Sequence, residues 1–400
     1  MAWRQRRWKP TRALGPHAWE ARDLLSGRPV VLKRASPEQL GTLEREHALG
    51  RRIRHPVFRR LLGALRDDGG WLVLEHVAGR APRAGDDVAV PLLRALLHLH
   101  DRGWAHGDLK PDNLIVEGDR LRVIDLGLAA RIGGPAAGGT HGFLAPELLR
   151  GEPVSVASDL YAFGRTLQAL GARGTLADLA ARACAPSPDA RPASAAAALA
   201  ALGALPRPAD RAGELPWRGA DVVARAVSSL GSGRTLVISA PPGAGRSRVA
   251  RELGLEVTGE WRPLATASLA SPGALARLAG LYGADSGSLE ARLASAAPQL
   301  AAESVTIVLD DADRASDDAR AGIVALARGL AVTGAGSLAV IGSDEALTSR
   351  LEAAGAEATA IPPLSSEDVR GLLEDAGARA SRSLVDALRE ASAGRAGVVA

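Results

Sequence analysis

At 400 residues, with a net charge of +4, 46% hydrophobic and 24% charged residues, the chain has the length of two or three soluble domains and apolar content for a core in each. Aromatic residues are only 3% of it, so the cores must be largely aliphatic; arginines alternate with aspartate and glutamate, without the aromatic interleaving of a nucleic-acid platform, which argues against a nucleic-acid partner. The single cysteine, Cys184, excludes an intramolecular disulfide and a cysteine-based zinc site, and the lack of a long apolar run or a signal-peptide core leads to the expectation of a soluble cytoplasmic protein with no membrane partner.

The opening Trp3-Arg4-Gln5-Arg6-Arg7-Trp8-Lys9 reads as a frayed terminus. Residues 11–33 read as strand, turn, strand and strand, ending in Arg28-Pro29-Val30-Val31-Leu32-Lys33. A lysine ending a buried β-branched strand is costly unless an anion meets it, which makes Lys33 a candidate phosphate ligand. Ser36-Pro37-Glu38-Gln39 then offers a capping serine, a proline at the first helical position and a glutamine three residues past the cap. In the helix that follows, Leu43, Glu46, Leu49 and Ile53 share a face, so a carboxylate points along the apolar stripe and wants a partner. Residues 71–77, Trp-Leu-Val-Leu-Glu-His-Val, read as a buried strand, and Leu92, Leu93, Leu96, Leu97 and Leu99 as a core helix.

His106-Gly107-Asp108-Leu109-Lys110-Pro111-Asp112-Asn113 and Val123-Ile124-Asp125-Leu126-Gly127 come next. Asp108, Asn113 and Asp125 have the spacing of a phosphoryl-transfer site, one base for a hydroxyl and two oxygen ligands for magnesium. The only lysines in the chain are Lys9, Lys33 and Lys110, and the only asparagine is Asn113, so chance would rarely put these types at these places. With these residues, roughly the first half of the chain resembles the Ser/Thr branch of the protein kinase family. The resemblance implies an α+β two-lobed kinase fold over residues 1–205, with a small lobe over 11–77 and a large lobe over 78–205. It implies ATP and Mg2+ as cofactors and protein substrates carrying Ser or Thr.

Residue by residue, the resemblance makes Lys33 the phosphate-holding lysine braced by Glu46, with Glu44 as the alternative partner. Asp108 orients the substrate hydroxyl, Lys110 stabilises the transferred phosphoryl charge, and Asn113 with Asp125 holds magnesium. Gly15 stands in the phosphate-covering loop, and Glu75 and Val77 lie in the segment that holds adenine. Ala145-Pro146-Glu147 and Arg191 match a structural ion pair, and Asp159 a brace for the catalytic loop. His106 reads as packed structure. The chain departs from the family pattern in two places. The phosphate loop, Leu14-Gly15-Pro16-His17-Ala18, has one glycine, which motivates the alternative of a pseudokinase scaffold. Gly107 stands where the family has arginine, and residues 128–139 contain no Ser, Thr or Tyr, so no phosphorylation switch is expected within that stretch. A small-molecule kinase sharing the His-Gly-Asp pattern is disfavoured by Lys110 and by Ala145-Pro146-Glu147.

Residues 206–214 read as a linker. After Leu215-Pro216-Trp217-Arg218-Gly219 and a helix to Leu230, a strand of residues 235–240 delivers Pro241-Pro242-Gly243-Ala244-Gly245-Arg246-Ser247 to another helix, the context of a phosphate-binding loop with arginine in place of its lysine. Val305-Thr306-Ile307-Val308-Leu309-Asp310-Asp311 is an apolar strand ending in two acids, and residues 338–343 a further core strand. Together with Ile361-Pro362-Pro363-Leu364, residues 215–400 resemble the AAA-related ATPase module often fused behind bacterial kinases: an α/β P-loop NTPase domain with a parallel sheet and a helical lid. That resemblance implies Gly243, Gly245, Arg246 and Ser247 as nucleotide ligands and Ser247, Asp310 and Asp311 as metal ligands. It also implies nucleotide-dependent self-association. The chain stops at Ala400 in what resembles the lid, so a shortened member is expected.

Overall fold

A computed structural model describes residues 7–36, 39–53, 55–65, 70–206, 220–231, 234–259, 264–268, 273–375 and 381–393. Residues 1–6, Pro37 and Glu38 of the expected helix cap, linker residues 207–214 and Leu215-Pro216-Trp217-Arg218-Gly219 lie outside the described residues. Two compact units are present, one from Met1–Arg34, Leu62–Val73 and Leu215–Ala400, the other from Ala35–Leu61 and Leu74–Glu214.

Most of a five-stranded sheet lies in the first unit: β1 (Trp8–Gly15), β2 (Ala18–Asp23), β3 (Pro29–Ala35), β4 (Leu61–Leu65) and β5 (Gly70–Glu75), in the order β1-β2-β3-β5-β4. The frayed terminus is corrected from Arg7 onward. The Arg7 guanidinium forks onto Asp23 at 2.9 and 3.0 Å, and Trp8 is 4% exposed, because the indole and the paired charge are both withdrawn from water. β1 and β2 are antiparallel, with Gly15 opposite Ala18 and only Pro16-His17 between them. Trp8, Ala21, Leu25, Val30, Leu32, Trp71 and Val73 belong to one apolar cluster with residues of helices Ala274–Tyr282, Leu289–Ala302 and Asp317–Thr333. Beside that cluster Arg277 Nε donates to the Leu25 carbonyl at 2.5 Å.

The second unit holds helix Leu40–Gly50 and two short antiparallel ribbons: β6 (Trp104–Ala105) with β9 (Ala130–Arg131), and β7 (Leu114–Glu117) with β8 (Arg120–Val123). Helices Ala89–His100, Val156–Ala169, Thr175–Ala183 and Ala195–Ala201 share its apolar core. Helix Leu40–Gly50 begins at Leu40 with Gln39 as its cap and ends before Ile53, so the Ile53 position on its apolar face is corrected. The strand expected over residues 71–77 ends at Glu75.

Back in the first unit, β10 (Thr235–Ser239), β11 (Leu264–Ser268), β12 (Thr306–Asp310), β13 (Ser337–Gly342) and β14 (Glu357–Ala360) form a parallel sheet in the order β11-β12-β13-β10-β14. Side chains alternate between its faces. Leu236 and Ile238 pack with helices Ala220–Gly231 and Arg246–Gly259, whereas Val237 packs with the cluster around Leu293 and Leu300. Covering both faces is what a parallel sheet of near-continuous apolar strands requires.

Glu147 and Arg191 form the buried pair expected of them, with guanidinium nitrogens 2.6 and 2.8 Å from the two carboxylate oxygens and residue exposures of 2% and 4%. Burial works to raise the Glu147 pKa, but the Arg191 hydrogen bonds and charge outweigh it and hold the carboxyl below its ordinary value. A depressed carboxylate contributes stability that is complete above the ordinary glutamate range and is lost as pH falls through the folded-state value. Replacing Arg191 by Ala is expected to cost about 3–5 kcal/mol in urea unfolding at neutral pH, with a smaller difference from wild type in acid. An equal difference at both pH values would contradict the pairing.

Candidate active site

The catalytic-loop stretch is built around one buried carboxylate. Asp159, on helix Val156–Ala169, is 2% exposed; Oδ2 accepts from His106 N at 2.7 Å and lies 2.9 Å from His100 Nε2, while Oδ1 accepts from Gly107 N at 3.0 Å. Burial works against its charge, and the His100 and backbone hydrogen bonds overcome this to leave its pKa lowered. His106 is 1% exposed, burial pushes its imidazole pKa down, and its Nδ1 accepts from Asp108 N at 3.3 Å. A neutral, enclosed imidazole of this kind is a brace. Gly107 has φ +78°, and a Cβ there would run into the Leu128 carbonyl, so any side chain at this position would require the backbone to shift.

Asp108 is the centre of the resulting array. Its Oδ1 accepts from Thr140 N at 3.0 Å and Thr140 Oγ1 at 2.7 Å; its Oδ2 accepts from Lys110 Nζ at 2.8 Å and Asn113 Nδ2 at 3.2 Å. Lys110 Nζ also donates to Thr140 Oγ1 at 2.6 Å. Burial tends to raise the Asp108 pKa, and the Lys110 and Thr140 hydrogen bonds more than reverse it, so the group is ionised at neutral pH. Such a carboxylate orients a hydroxyl better than it removes its proton, which suits phosphoryl transfer.

Asn113 donates through Nδ2 to the Asp108 carbonyl at 2.8 Å, and this use of its nitrogen leaves its amide oxygen as the natural cation ligand. Ile124 N donates to Asn113 O at 3.0 Å, setting Asp125 directly after a residue held to the asparagine, and Gly127 N donates to Asp125 Oδ1 at 2.8 Å. A carboxylate and an amide oxygen are the hard donors that magnesium takes.

Among the helix carboxylates, Glu46 is the buried one, at 5% exposure. A Cβ on Gly127 would lie 3.0 Å from Asp125 Oδ1, 3.0 Å from Thr42 Cγ2 and 3.7 Å from Glu46 Oε2, so the helix and the Asp125–Gly127 segment pack closely. Arg59, 4.0 Å from Glu46, supplies positive charge here. Burial lowers its pKa while Glu46 and Asp125 pull it back up. Nothing in the sequence distinguished Arg59 from its exposed neighbour Arg60. Thr140 leaves a signal, being the first hydroxyl residue after Asp125.

Lys33 and Gly15 belong to the first unit and the residues of the preceding paragraphs to the second. Lys33 sits on β3 opposite Ala18. At Gly15 a Cβ would meet nothing within 4 Å and φ is not positive, so nothing in the backbone there requires glycine. The Glu75 side chain is engaged by Arg60 at 2.9 Å and by Arg122, which also holds Glu117 at 3.0 Å; Glu117 in turn accepts from Ala78 N at 3.1 Å. Glu75 N donates to Arg60 O at 2.9 Å, and Val77 is buried. These ion pairs tie residues 75–78 to β7 and β8 through side chains.

Residues 20–179 match the protein kinase domain. Serine/threonine-protein kinase PknG of Mycolicibacterium smegmatis is 31% identical over 169 residues, covering 36% of this chain and 22% of the relative. The PknG of Mycobacterium leprae is 31% identical over 171 residues with the same coverage, and serine/threonine-protein kinase mos of Xenopus laevis is 31% identical over 180 residues, 35% of this chain and 50% of the relative. The chain thus spans about a fifth of the length of the mycobacterial relatives. The kinase domain match contains Lys33, Glu46, Asp108, Lys110, Asn113 and Asp125.

Outside that domain, the second candidate site also has its elements in order. β10 leads through Gly243 (φ +85°) and Gly245 (φ +89°) into helix Arg246–Gly259, and β12 ends at Asp310. Arg246 is turned onto Asp313 at 2.7 Å and stands 3.9 Å from Asp311. Burial raises the Asp310 pKa; a Ser247 hydrogen bond lowers it and the adjacent Asp311 raises it again. Among the described residues no cluster of three or more His, Cys, Asp or Glu forms a metal cage, and no helix is long and apolar enough to cross a membrane.

If Thr140 orients Asp108 and Lys110, Thr140→Ala lowers kcat for transfer from ATP about tenfold, equivalent to ~1.4 kcal/mol, with KM for ATP unchanged. Unchanged kcat would remove Thr140 from the site.

Proposed function

We propose that the chain is an ATP- and Mg2+-dependent Ser/Thr protein kinase whose C-terminal region carries a nucleotide-binding P-loop domain that gates signalling. The observation that carries the kinase reading is the Asp108 array, in which one ionised carboxylate, one ammonium and one hydroxyl converge beside Asn113 and Asp125. Asp108 orients the substrate hydroxyl and Lys110 neutralises charge on the phosphoryl group in flight. Asn113 and Asp125 hold magnesium, which supplies charge neutralisation of the phosphates. Lys33 positions the phosphates, and the backbone around Glu75 and Val77 receives the adenine. Protein Ser or Thr residues are the substrates.

The experiment is transfer of labelled phosphate from ATP to the chain itself or to a generic protein substrate. Transfer by the wild type and its loss in Asp125→Ala and Lys33→Met support the assignment; full labelling by Asp125→Ala refutes it.

A second reading, a pseudokinase scaffold coupled to a P-loop switch, is favoured by the two-residue turn that replaces a glycine-rich loop. In that reading Gly243, Gly245, Arg246 and Ser247 cradle the phosphates, and Ser247, Asp310 and Asp311 hold the cation. A phosphate entering this cradle exchanges for Asp313 on Arg246. Thermal stabilisation by Mg2+-ATP separates the two: loss on Lys33→Met places the nucleotide in the kinase domain, and loss only on Ser247→Ala places it in the C-terminal cradle.

A further inference from the structure

On the β1–β5 sheet of the first unit, a cavity of about 340 Å³ opens to solvent. Its walls include Trp8, Trp19 and Trp71, with Pro10, Leu24 and the exposed Lys9. The chain has only seven tryptophans, and aromatics are 3% of its residues. Three indoles meeting at one opening is therefore a concentration that, among the described residues, core packing elsewhere does not repeat.

The chemistry of the walls selects an occupant. The volume is that of small-molecule pockets, which are mostly apolar with a few placed polar groups. Trp19 and Trp71 have ring centroids 5.5 Å apart and planes inclined by 38°, so their faces favour a flat ring over a branched aliphatic chain. The fixed charge around them is positive. Lys9 lines the cavity, and the Arg34 guanidinium lies 5.6 Å from the Trp71 ring centre. The carboxylates on β2 are already engaged, Asp23 by Arg7 at 2.9 Å and Glu20 by Arg12 at 2.9 Å.

We propose that this cavity binds a small planar aromatic molecule bearing an anionic group, its ring against the indoles and its charge toward Lys9. The Leu24 wall is continuous with a turn that reaches into the C-terminal region. Leu24 N donates to Arg7 O at 2.7 Å, and the next carbonyl, of Leu25, accepts from Arg277 on helix Ala274–Tyr282. The site does not depend on the kinase reading.

The test is a fluorescence titration of the full chain with 8-anilinonaphthalene-1-sulfonate, and in parallel with N-phenyl-1-naphthylamine, which has the same rings without the sulfonate. One saturable site is expected for the sulfonate, weakened about tenfold by Trp19→Ala and about threefold by Lys9→Gln, the second effect vanishing in high salt. Leu24→Trp, which fills the cavity while keeping the tryptophans, is expected to abolish it and covers the case in which Trp19→Ala misfolds. Binding that Leu24→Trp leaves intact overturns the site, and equal affinity for both probes overturns its preference for an anion.

Discussion

The array around Asp108 depends on a second, buried carboxylate. Asp159 is enclosed at the N-terminal end of its helix, and it satisfies the amides of His106 and Gly107 while His100 meets its other side. Those two amides precede Asp108, so the path of the catalytic loop is set by hydrogen bonds to a charge in a low-dielectric surrounding. Interactions there are strong when satisfied and costly when broken. The buried ion pair of Glu147 and Arg191 does the same for the segment after Thr140, since Arg191 also donates to the Ala157 carbonyl at the start of the same helix, at 2.9 Å. Helix Val156–Ala169 is thereby the common anchor of both stretches that meet at Asp108.

The second constraint is charge balance around Asp125 and Glu46. Glu46 and Asp125 both approach the Cβ position of Gly127, and two carboxylates so placed repel unless a cation accompanies them. Arg59 provides that cation from within the second unit. A guanidinium suits the role because it keeps its proton even where burial lowers its pKa, as burial does here. In a chain with only three lysines the structural cations are arginines. Arg122 and Arg60 on Glu75 follow the same pattern.

The sequence made the fold legible where period and punctuation were strong. The leucine helix Ala89–His100, the strands leading to Lys33 and the parallel strands β10, β12 and β13 lie where alternation and β-branched runs put them. Ends were less legible. Helix Leu40–Gly50 stops short of Ile53, which the apolar spacing alone would have kept on its face. The terminus from Arg7 looked like loose charge, since only the fold reveals that Asp23 waits for the guanidinium. In the site, residues with a distinctive type, Lys110 and Asn113, could be picked out from spacing. Arg59 acts through a contact with Glu46 that nothing local announces, and arginine is too common in this sequence to carry a signal.

The sheet that carries Lys33 belongs to one compact unit with the C-terminal residues, and this has a consequence for β3. Val30 and Leu32 take part in the cluster shared with helices Ala274–Tyr282 and Leu289–Ala302, whereas Val31 and Lys33, two residues apart, fall on the other face by the alternation of a strand. A slip of one residue would drive Lys33 into that apolar cluster and expose Leu32, so burial of Leu32 and Val30 fixes the face on which the lysine stands. The position of Lys33 is therefore specified partly by side chains more than two hundred residues away. A change in how helix Ala274–Tyr282 packs, at Arg277 and the Leu25 carbonyl above all, acts on the strand that presents the lysine without touching it.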